Sequence, residues 1–301
     1  MKILVTGSSG LVGSSLVPYL TGAGHFVARL VRHNPVRERG DILWEPVSAK
    51  IERAKLEGFD AVIHLAGENL LGLWTSGRKQ RLIASRVQAT EFLSESLAAL
   101  QQRPKILLSA SAIGYYGSRG DQWLNEQTPA GTGFVAELCQ DWERATAIAE
   151  RAGLRVVNMR FGLVLSRRGG LLAQMLPLFR TGLGGPLGLG RQYMSWITMD
   201  DLLGVVQHLL SRDNLRGPIN VVAPDPVTNR DFTRTLGRVL RRPALLPVPS
   251  PLLRLLPGGM ADQTMLASQR VEPGELRQSG YKFVFPELED ALRHLTEKSY
   301  R

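Results

Sequence analysis

The sequence predicts an α/β fold in which a doubly wound parallel sheet is covered by helices on both faces. Three observations lead there. Short apolar runs alternate with stretches of helical periodicity from Lys2 to Arg160. One run, Asp60 to Ala66, is a short apolar strand of the kind that parallel sheets bury on both faces. The first run passes directly into a glycine-spaced turn and then a helical stretch.

Lys2 to Thr6 is apolar and β-branched, and reads as a strand. Gly7-Ser8-Ser9-Gly10-Leu11-Val12-Gly13 is the turn; Ser14 to Thr21 is a helix stopped by Gly22 and Gly24; His25 to Arg32 is the second strand. Asp60 to Ala66 follows as a strand, Lys79 to Leu100 as a long helix and Lys105 to Ala110 as a strand. Phe134 to Ala152 is predicted as one helix, with Leu138, Trp142, Ala145 and Ala149 at helical spacing, and Arg155 to Arg160 as the next strand. Beyond Val164 the character changes. Gly169-Gly170 and Gly182 to Gly190 are glycine-rich, Met199 to Leu210 and Asn229 to Leu240 are helical, Gly217 to Val222 is a strand, Pro243 to Pro257 is rich in Pro and Leu, and a last helix spans about Glu287 to Glu297. With no long linker, this part is expected to pack as a smaller substrate lobe.

A chain of 301 residues corresponds to about two domains at ~150 residues each. Hydrophobic residues at 44% against 21% charged give a substantial core and exclude wholesale disorder. The single Cys139 excludes an internal disulfide framework and a multi-cysteine zinc site. Lys2 is followed by a short apolar run and a glycine turn, unlike a signal peptide, and no run reaches the ~18 apolar residues of a membrane span, so a soluble cytoplasmic protein is expected. The net charge of +10 is scattered, with only short clusters at Arg37 to Arg39, Arg78 to Arg81 and Arg241-Arg242. No nucleic-acid motif accompanies it, so a solvated basic surface is the expectation rather than a polyanion partner.

Gly7, Gly10 and Gly13 after a strand suit a dinucleotide pyrophosphate, which must approach backbone amides at a helix N-terminus, where the dipole favours anions. With Ser9, Leu11 and Val12 they form the expected cradle. At the end of the second strand stands Arg32 instead of the acid that would accept from an NAD ribose hydroxyl; a guanidinium there suits a 2′-phosphate and favours NADP over NAD. Leu65, Ala66 and Gly67 end a strand with little bulk, leaving room for ribose and nicotinamide. His64, in an apolar strand, suits a packed core histidine better than a catalytic base. Ser111, Tyr115 and Tyr116 follow the next strand. Ser111 suits a hydrogen bond to a substrate carbonyl or alcohol and a tyrosine suits a proton relay, though turn chemistry and gap filling also account for these residue types.

Thr6 to Gly13, His64 to Asn69, Ser85-Arg86-Val87, Ser109 to Gly117, Asp141-Trp142-Glu143, Arg160 to Leu165, Gly184 to Gly190, Gln192, Ser195-Trp196-Ile197 and Ser268-Gln269-Arg270-Val271 together resemble the NAD(P)-dependent epimerase/dehydratase branch of the short-chain dehydrogenase/reductase superfamily. The likeness is to its atypical subgroup with a C-terminal domain of unknown function, and it spans nearly the whole chain. It implies a Rossmann domain over residues 1–222, a C-terminal domain over 245–297 completing the substrate lobe, and NADP as cofactor. It adds Val31, Arg86 and Val164 to the cofactor contacts, and Gln192 and Trp196 to the substrate side. A Trp there suits a flat wall for a ring or, equally, the core. Superfamily members often pair, which leaves a homodimer open.

The sequence departs from the superfamily at one point. Its enzymes carry Tyr-x-x-x-Lys on the helix after the serine strand, the lysine lowering the tyrosine pKa. Here Phe134 and Leu138 occupy those positions, and neither transfers a proton. Ser111, Tyr115 and Glu137, next to the vacant lysine position, are the substitute candidates, whereas Trp142 fits an apolar helix face and Glu143 a surface charge. The two functions left are an NADP(H)-dependent oxidoreductase or isomerase on a small polar substrate, and a non-catalytic NADP(H)-binding redox sensor or scaffold. No metal site is expected.

Overall fold

The computed structural model describes residues 1–33, 35–36, 40–70, 72–255 and 257–297; the basic cluster Arg37 to Arg39 lies outside them. The chain divides into two compact units, each assembled from separated segments: Met1–Ala112, Glu137–Arg160 and Val206–Ile219 in the first, Ile113–Ala136, Phe161–Val205 and Asn220–Arg301 in the second.

The first unit is built on a sheet of β1 (Lys2–Thr6), β2 (Phe26–Val31), β3 (Ile42–Glu45), β4 (Lys50–Ile51), β5 (Ala61–His64), β6 (Ile106–Ala112), β7 (Arg155–Phe161) and β8 (Gly217–Val221). The order across it is β8-β7-β6-β5-β1-β2-β3-β4. β1 runs parallel to both β2 and β5, with Ile3 opposite Val27 on one side and Ala61 on the other. β5–β6 and β2–β3 are parallel as well, and β4 returns antiparallel beside β3. The winding therefore reverses between β1 and β5, and in such sheets ligands bind at the carboxyl ends of the strands at that reversal. The parallel register brings Thr6, Val31, His64 and Ala112 to one sheet edge. Leu4, Val62, Leu93, Leu97, Leu107 and Val156 are buried in the core beneath it.

Helix α1 (Gly13–Gly22) follows the glycine turn as the spacing predicts. The long helix Lys79 to Leu100 is present but not uniform: α2 (Ser76–Ile83) passes through a π-turn at Ala84–Gln88 into α3 (Ala89–Ala98). The single helix expected over Phe134 to Ala152 is in fact two, α4 (Phe134–Arg144) and α5 (Ala147–Arg151). The Thr146 hydroxyl bonds the Glu143 carbonyl at 2.7 Å and the Thr146 amide takes the same oxygen at 3.2 Å, which tightens the turn and ends α4.

In the second unit, Leu172, Leu176, Phe179, Trp196, Phe232, Leu236 and Leu292 form one core. It includes a helix at Gly170–Arg180 that the sequence reading does not anticipate. The helix Asn229–Leu240 begins where expected, its Thr228 side chain accepting from the Asp231 amide. Three short strand pairs complete the unit: Tyr193–Met194 with Val227–Thr228, Trp196–Thr198 with Leu163–Leu165, and Arg270–Val271 with Trp123–Leu124. Asp201 is fully buried; it accepts from the Thr198 hydroxyl at 3.0 Å and the Val284 and Phe285 amides at 2.7 and 3.0 Å, fastening residues 284–285 to the start of its helix. Among the described residues no helix is long and apolar enough to cross a membrane.

Candidate functional site

The three glycines of the turn do different jobs. Gly7 has φ +65°, and a Cβ there would lie 2.6 Å from the Leu65 carbonyl. A Cβ on Gly13 would lie 2.2 Å from the Gly7 oxygen. Both are required by the protein's own packing. Gly10 is exposed, and a Cβ on it would meet only the Gly7 oxygen, at 3.3 Å. The space in front of it is open, so its lack of a side chain clears room for something other than protein. Beside it α1 starts uncapped: Val12 supplies no side-chain acceptor and the first turn holds no acid. Ser9 is exposed, Leu11 and Val12 half-buried. A helix mouth with amides free of side-chain acceptors carries the partial positive charge that attracts an anion.

Arg32 stands exposed just past Val31, the last residue of β2. The acid placed nearby at the start of β3, Asp41, is held by Arg29 through Nε at 2.7 Å, and Arg32 makes no ion pair with a described residue. Among the described residues its charge is left without an acid partner, at the same sheet edge as the cradle.

His64 proves to be a core histidine. The Thr6 oxygen accepts the Leu65 and Ala66 amides at 3.0 and 3.1 Å, so its own proton points to His64 Nδ1 at 2.7 Å. Nε2 then carries the ring proton and donates to Thr90 Oγ1 at 2.9 Å, which also accepts from Trp142 Nε1 at 2.9 Å. Complete burial pulls the His64 pKa down to about 4. This neutral relay ties the ends of β1 and β5 to α3 and α4, and fixes Leu65 and Ala66.

Gly67 is exposed above Arg86, whose guanidinium carbon a Cβ would meet at 3.4 Å. Arg86, on the π-turn, donates to the Glu68 carbonyl at 2.8 Å and lies 5.1 Å from the Trp142 ring centre. The Glu68 carboxylate is turned instead to Arg78 and Arg81, at 3.1 and 3.3 Å. Burial holds the Arg86 pKa below its ordinary value. The result is a half-buried cation without a carboxylate ion pair among the described residues.

Ser111, 2% exposed at the end of β6, donates to Glu143 Oε1 at 2.6 Å. Arg160, itself buried, clamps the same carboxylate from the side, Nε to Oε1 and Nη2 to Oε2, both at 2.8 Å. Glu143 is thus no surface charge but the centre of a buried cluster. With its proton directed at Glu143, Ser111 keeps its lone pairs to accept from a hydroxyl. Glu137 is exposed on α4, and the six-residue step to Glu143 sets the two side chains about 120° apart around the helix axis. It is not brought to Ser111. Leu138 and Cys139 are buried, and burial pushes the Cys139 thiol up to about 12.

The other candidates lie in the second unit. Tyr116 is fully buried and donates to Asn220 Oδ1 at 2.7 Å, so it is structural; Tyr115 is half-buried, its ring edge-on to Tyr116 at 5.4 Å. Val164 is paired opposite Ile197. Gln192 donates through Nε2 to the Leu187 and Met265 carbonyls at 3.2 and 3.3 Å, tying down its loop. Trp196 is fully buried and donates to the Asp225 carbonyl at 2.8 Å. It belongs to the core, which corrects its assignment as a wall for substrate. Among the described residues no cluster of His, Cys, Asp and Glu is arranged to hold a metal ion.

Sequence reasoning missed Glu143 and Arg160. The available signal was Arg160 itself, a charge in the strand-forming run Val156 to Phe161, where burial calls for an acid partner.

A parallel sheet reversing at β1/β5, with an open glycine turn at that edge, defines a Rossmann-type α/β protein. Residues 3–222 match the NAD dependent epimerase/dehydratase family and residues 248–295 match a domain of unknown function. The chain belongs to that epimerase/dehydratase family. An epimerase family protein of Mycobacterium bovis is 42% identical over 297 residues, covering 98% of each chain. The crystal structure of the human epimerase family protein SDR39U1 with NADPH superposes with a TM-score of 0.87 at 31% identity, over 98% of this chain and 99% of that one. A nucleoside-diphosphate sugar epimerase from Corynebacterium glutamicum gives 0.81 at 37% identity, covering 98% of this chain and 58% of the other.

Proposed function

We propose that this protein binds NADP(H) and acts as an oxidoreductase or isomerase on a small polar substrate, with Ser111 and Glu143 in place of the superfamily's Tyr-Lys pair. The observation that carries the reading is the open approach to Gly10 at the mouth of an uncapped helix, with Arg32, exposed and paired with no described acid, at the same sheet edge. The turn residues Gly7 to Gly13 would hold the pyrophosphate and Arg32 the 2′-phosphate. Leu65, Ala66 and Gly67 leave room for the nicotinamide half, and Arg86 beneath Gly67 supplies the cation that Leu138 cannot. The human relative crystallised with NADPH supports the choice of cofactor.

The bound nicotinamide supplies hydride exchange with a carbon bearing oxygen. The residues of this chain would handle the proton. A substrate hydroxyl donates to Ser111 Oγ, whose own proton moves to Glu143 Oε1; Arg160 keeps that carboxylate aimed. A cytoplasmic location and a small-molecule partner fit the scattered charge. The second reading, an NADP(H)-binding sensor or scaffold, is favoured by Phe134 and Leu138 at the usual catalytic positions.

Calorimetry with NADPH and NADH tests the cofactor, and nicotinamide absorbance with carbonyl substrates tests turnover. NADPH is expected to bind at least ~10-fold tighter than NADH, a margin of about 1.4 kcal/mol that Arg32→Ala removes. Gly10→Val should abolish binding of both. Where turnover is found, Ser111→Ala and Glu143→Gln should each lower kcat ~100-fold or more. Equal affinity for the two cofactors overturns the Arg32 assignment, and tight NADPH binding with no turnover selects the sensor.

A further inference from the structure

Arg270, in the Ser-Gln-Arg-Val segment that the cofactor reading leaves unused, is held in an unusual setting within the second unit. Its strand pairs in parallel with Trp123–Leu124, Arg270 directly opposite Trp123. The guanidinium carbon lies 4.0 Å from the Trp123 ring centre and 4.6 Å from that of Tyr193. Nε is buried with no hydrogen-bond partner, and no described carboxylate forms an ion pair with this arginine. Trp123 is 47% exposed, so the stack is open to solvent on one side.

The backbone on either side of Arg270 is fastened. Ser268 Oγ accepts the Tyr193 amide at 2.9 Å, and the Gln269 amide donates to the Tyr193 carbonyl at 3.1 Å. Gln269 Nε2 donates to the carbonyls of Ile113 and Gly117, both at 3.1 Å. Ser195 Oγ bonds both the Gln269 carbonyl and the Val271 amide, at 2.9 and 2.8 Å. The Ser268 hydroxyl and the Gln269 side-chain amide nitrogen are thus spent on the fold, whereas Arg270 Nε meets no acceptor.

Aromatic faces stabilise the charge of a guanidinium but accept none of its in-plane N–H groups. The stack therefore orients the fork and leaves its edge unmet, and a buried donor without a partner is a standing cost that an incoming acceptor relieves. The partner that matches a planar fork is an anion with two oxygens side by side. We propose that Trp123, Tyr193 and Arg270 form a binding site for an oxyanion, a carboxylate or phosphoryl group of a small ligand, received edge-on by the Arg270 guanidinium. The site does not depend on cofactor binding.

The test is a titration of the whole protein, labelled with 15N-arginine, following the Arg270 Nε–H resonance, which Arg270→Lys identifies by its disappearance. Sodium phosphate, sodium acetate and sodium chloride are added at matched ionic strength. Saturable movement is expected with phosphate or acetate at millimolar concentration and not with chloride. Movement with phosphate alone names a phosphoryl ligand, with acetate alone a carboxylate, and with both the shared chemistry. Trp123→Ala, which keeps the arginine and removes one face, should weaken binding ~5-fold, and Trp123→Phe should largely restore it. No saturable movement with either oxyanion, or equal movement with chloride, overturns the proposal and leaves the stack as packing; the wild-type titration decides this even if a variant fails to fold.

Discussion

Two arginines, one in each unit, are held in opposite ways. Arg160 is closed off by Glu143 with paired contacts at 2.8 Å, and Ser111 completes the carboxylate's coordination. Arg270 is covered on its faces by Trp123 and Tyr193 and forms no ion pair with a described residue. A cation whose N–H groups already meet a carboxylate can position that carboxylate but has little left for a ligand. A cation held by π faces is fixed in place with its hydrogen-bonding edge unspent. The first arrangement serves the Ser111–Glu143 pair, and the second marks a place for something from outside.

The difference is open to direct test through stability. Removing Arg160 leaves Glu143 charged and largely buried, and breaking a buried pair from one side costs about 3–5 kcal/mol. Arg160→Met is therefore expected to lower the urea-unfolding free energy by that order. Arg270→Met strands no partner charge and should cost within ~1 kcal/mol. Equal losses in the two variants would erase the distinction between a closed and an open cation.

A second expectation concerns the neutral relay of the first unit. The His64 pKa is about 4 in the folded protein against 6.5 unperturbed. Protons then favour the unfolded chain, so the stabilisation is complete above pH 6.5 and is lost as pH falls towards 4. The full loss is about 3 kcal/mol at 1.36 kcal/mol per pKa unit. His64→Gln, which does not titrate, should be less stable at pH 7.5 yet show a shallower fall between pH 6.5 and 4.5, measured by urea midpoints. Parallel pH profiles for wild type and variant would mean that His64 titrates in the fold as it does in the unfolded chain, with no lowering by burial.

How far the sequence reveals all this depends on the range of the interaction. The path from β1 through Gly7, Gly10 and Gly13 into α1 was legible because local sterics dictate it, and Arg32 was legible as the residue that follows β2. Strands β3 and β4 were not, since Ile42–Glu45 and Lys50–Ile51 are short and flank Pro46. The helix Gly170–Arg180 was hidden by glycines at its start and by Pro177 inside it. The Glu143–Arg160 pair joins a helix to a strand, and the Arg270 stack gathers residues from stretches around 123, 193 and 270. No period or motif announces such contacts. They follow from the topology, and only a charge within a strand-forming run hinted at one of them.

The smallest expected effect sharpens the contrast between carboxylates. Glu143 has both oxygens met by Arg160, whereas Glu126 in the second unit has Oε1 bonded by the Asn220 and Glu275 amides, at 3.0 and 3.3 Å, and Oε2 buried without a partner. Burial raises the Glu126 pKa above its ordinary value. For an acid the sign is the reverse of a salt-bridged carboxylate: ionisation opposes folding, so the cost is absent below the unfolded pKa near 4.5 and grows as pH rises through that value to the higher folded one. Glu126→Gln keeps an acceptor for the two amides and cannot ionise. Its stability relative to wild type should therefore improve steadily from pH 4 to pH 7, read as the difference between the two urea midpoints. A difference that stays flat with pH, or moves the other way, would show that Oε2 is satisfied in solution and that Glu126 is as closed as Glu143.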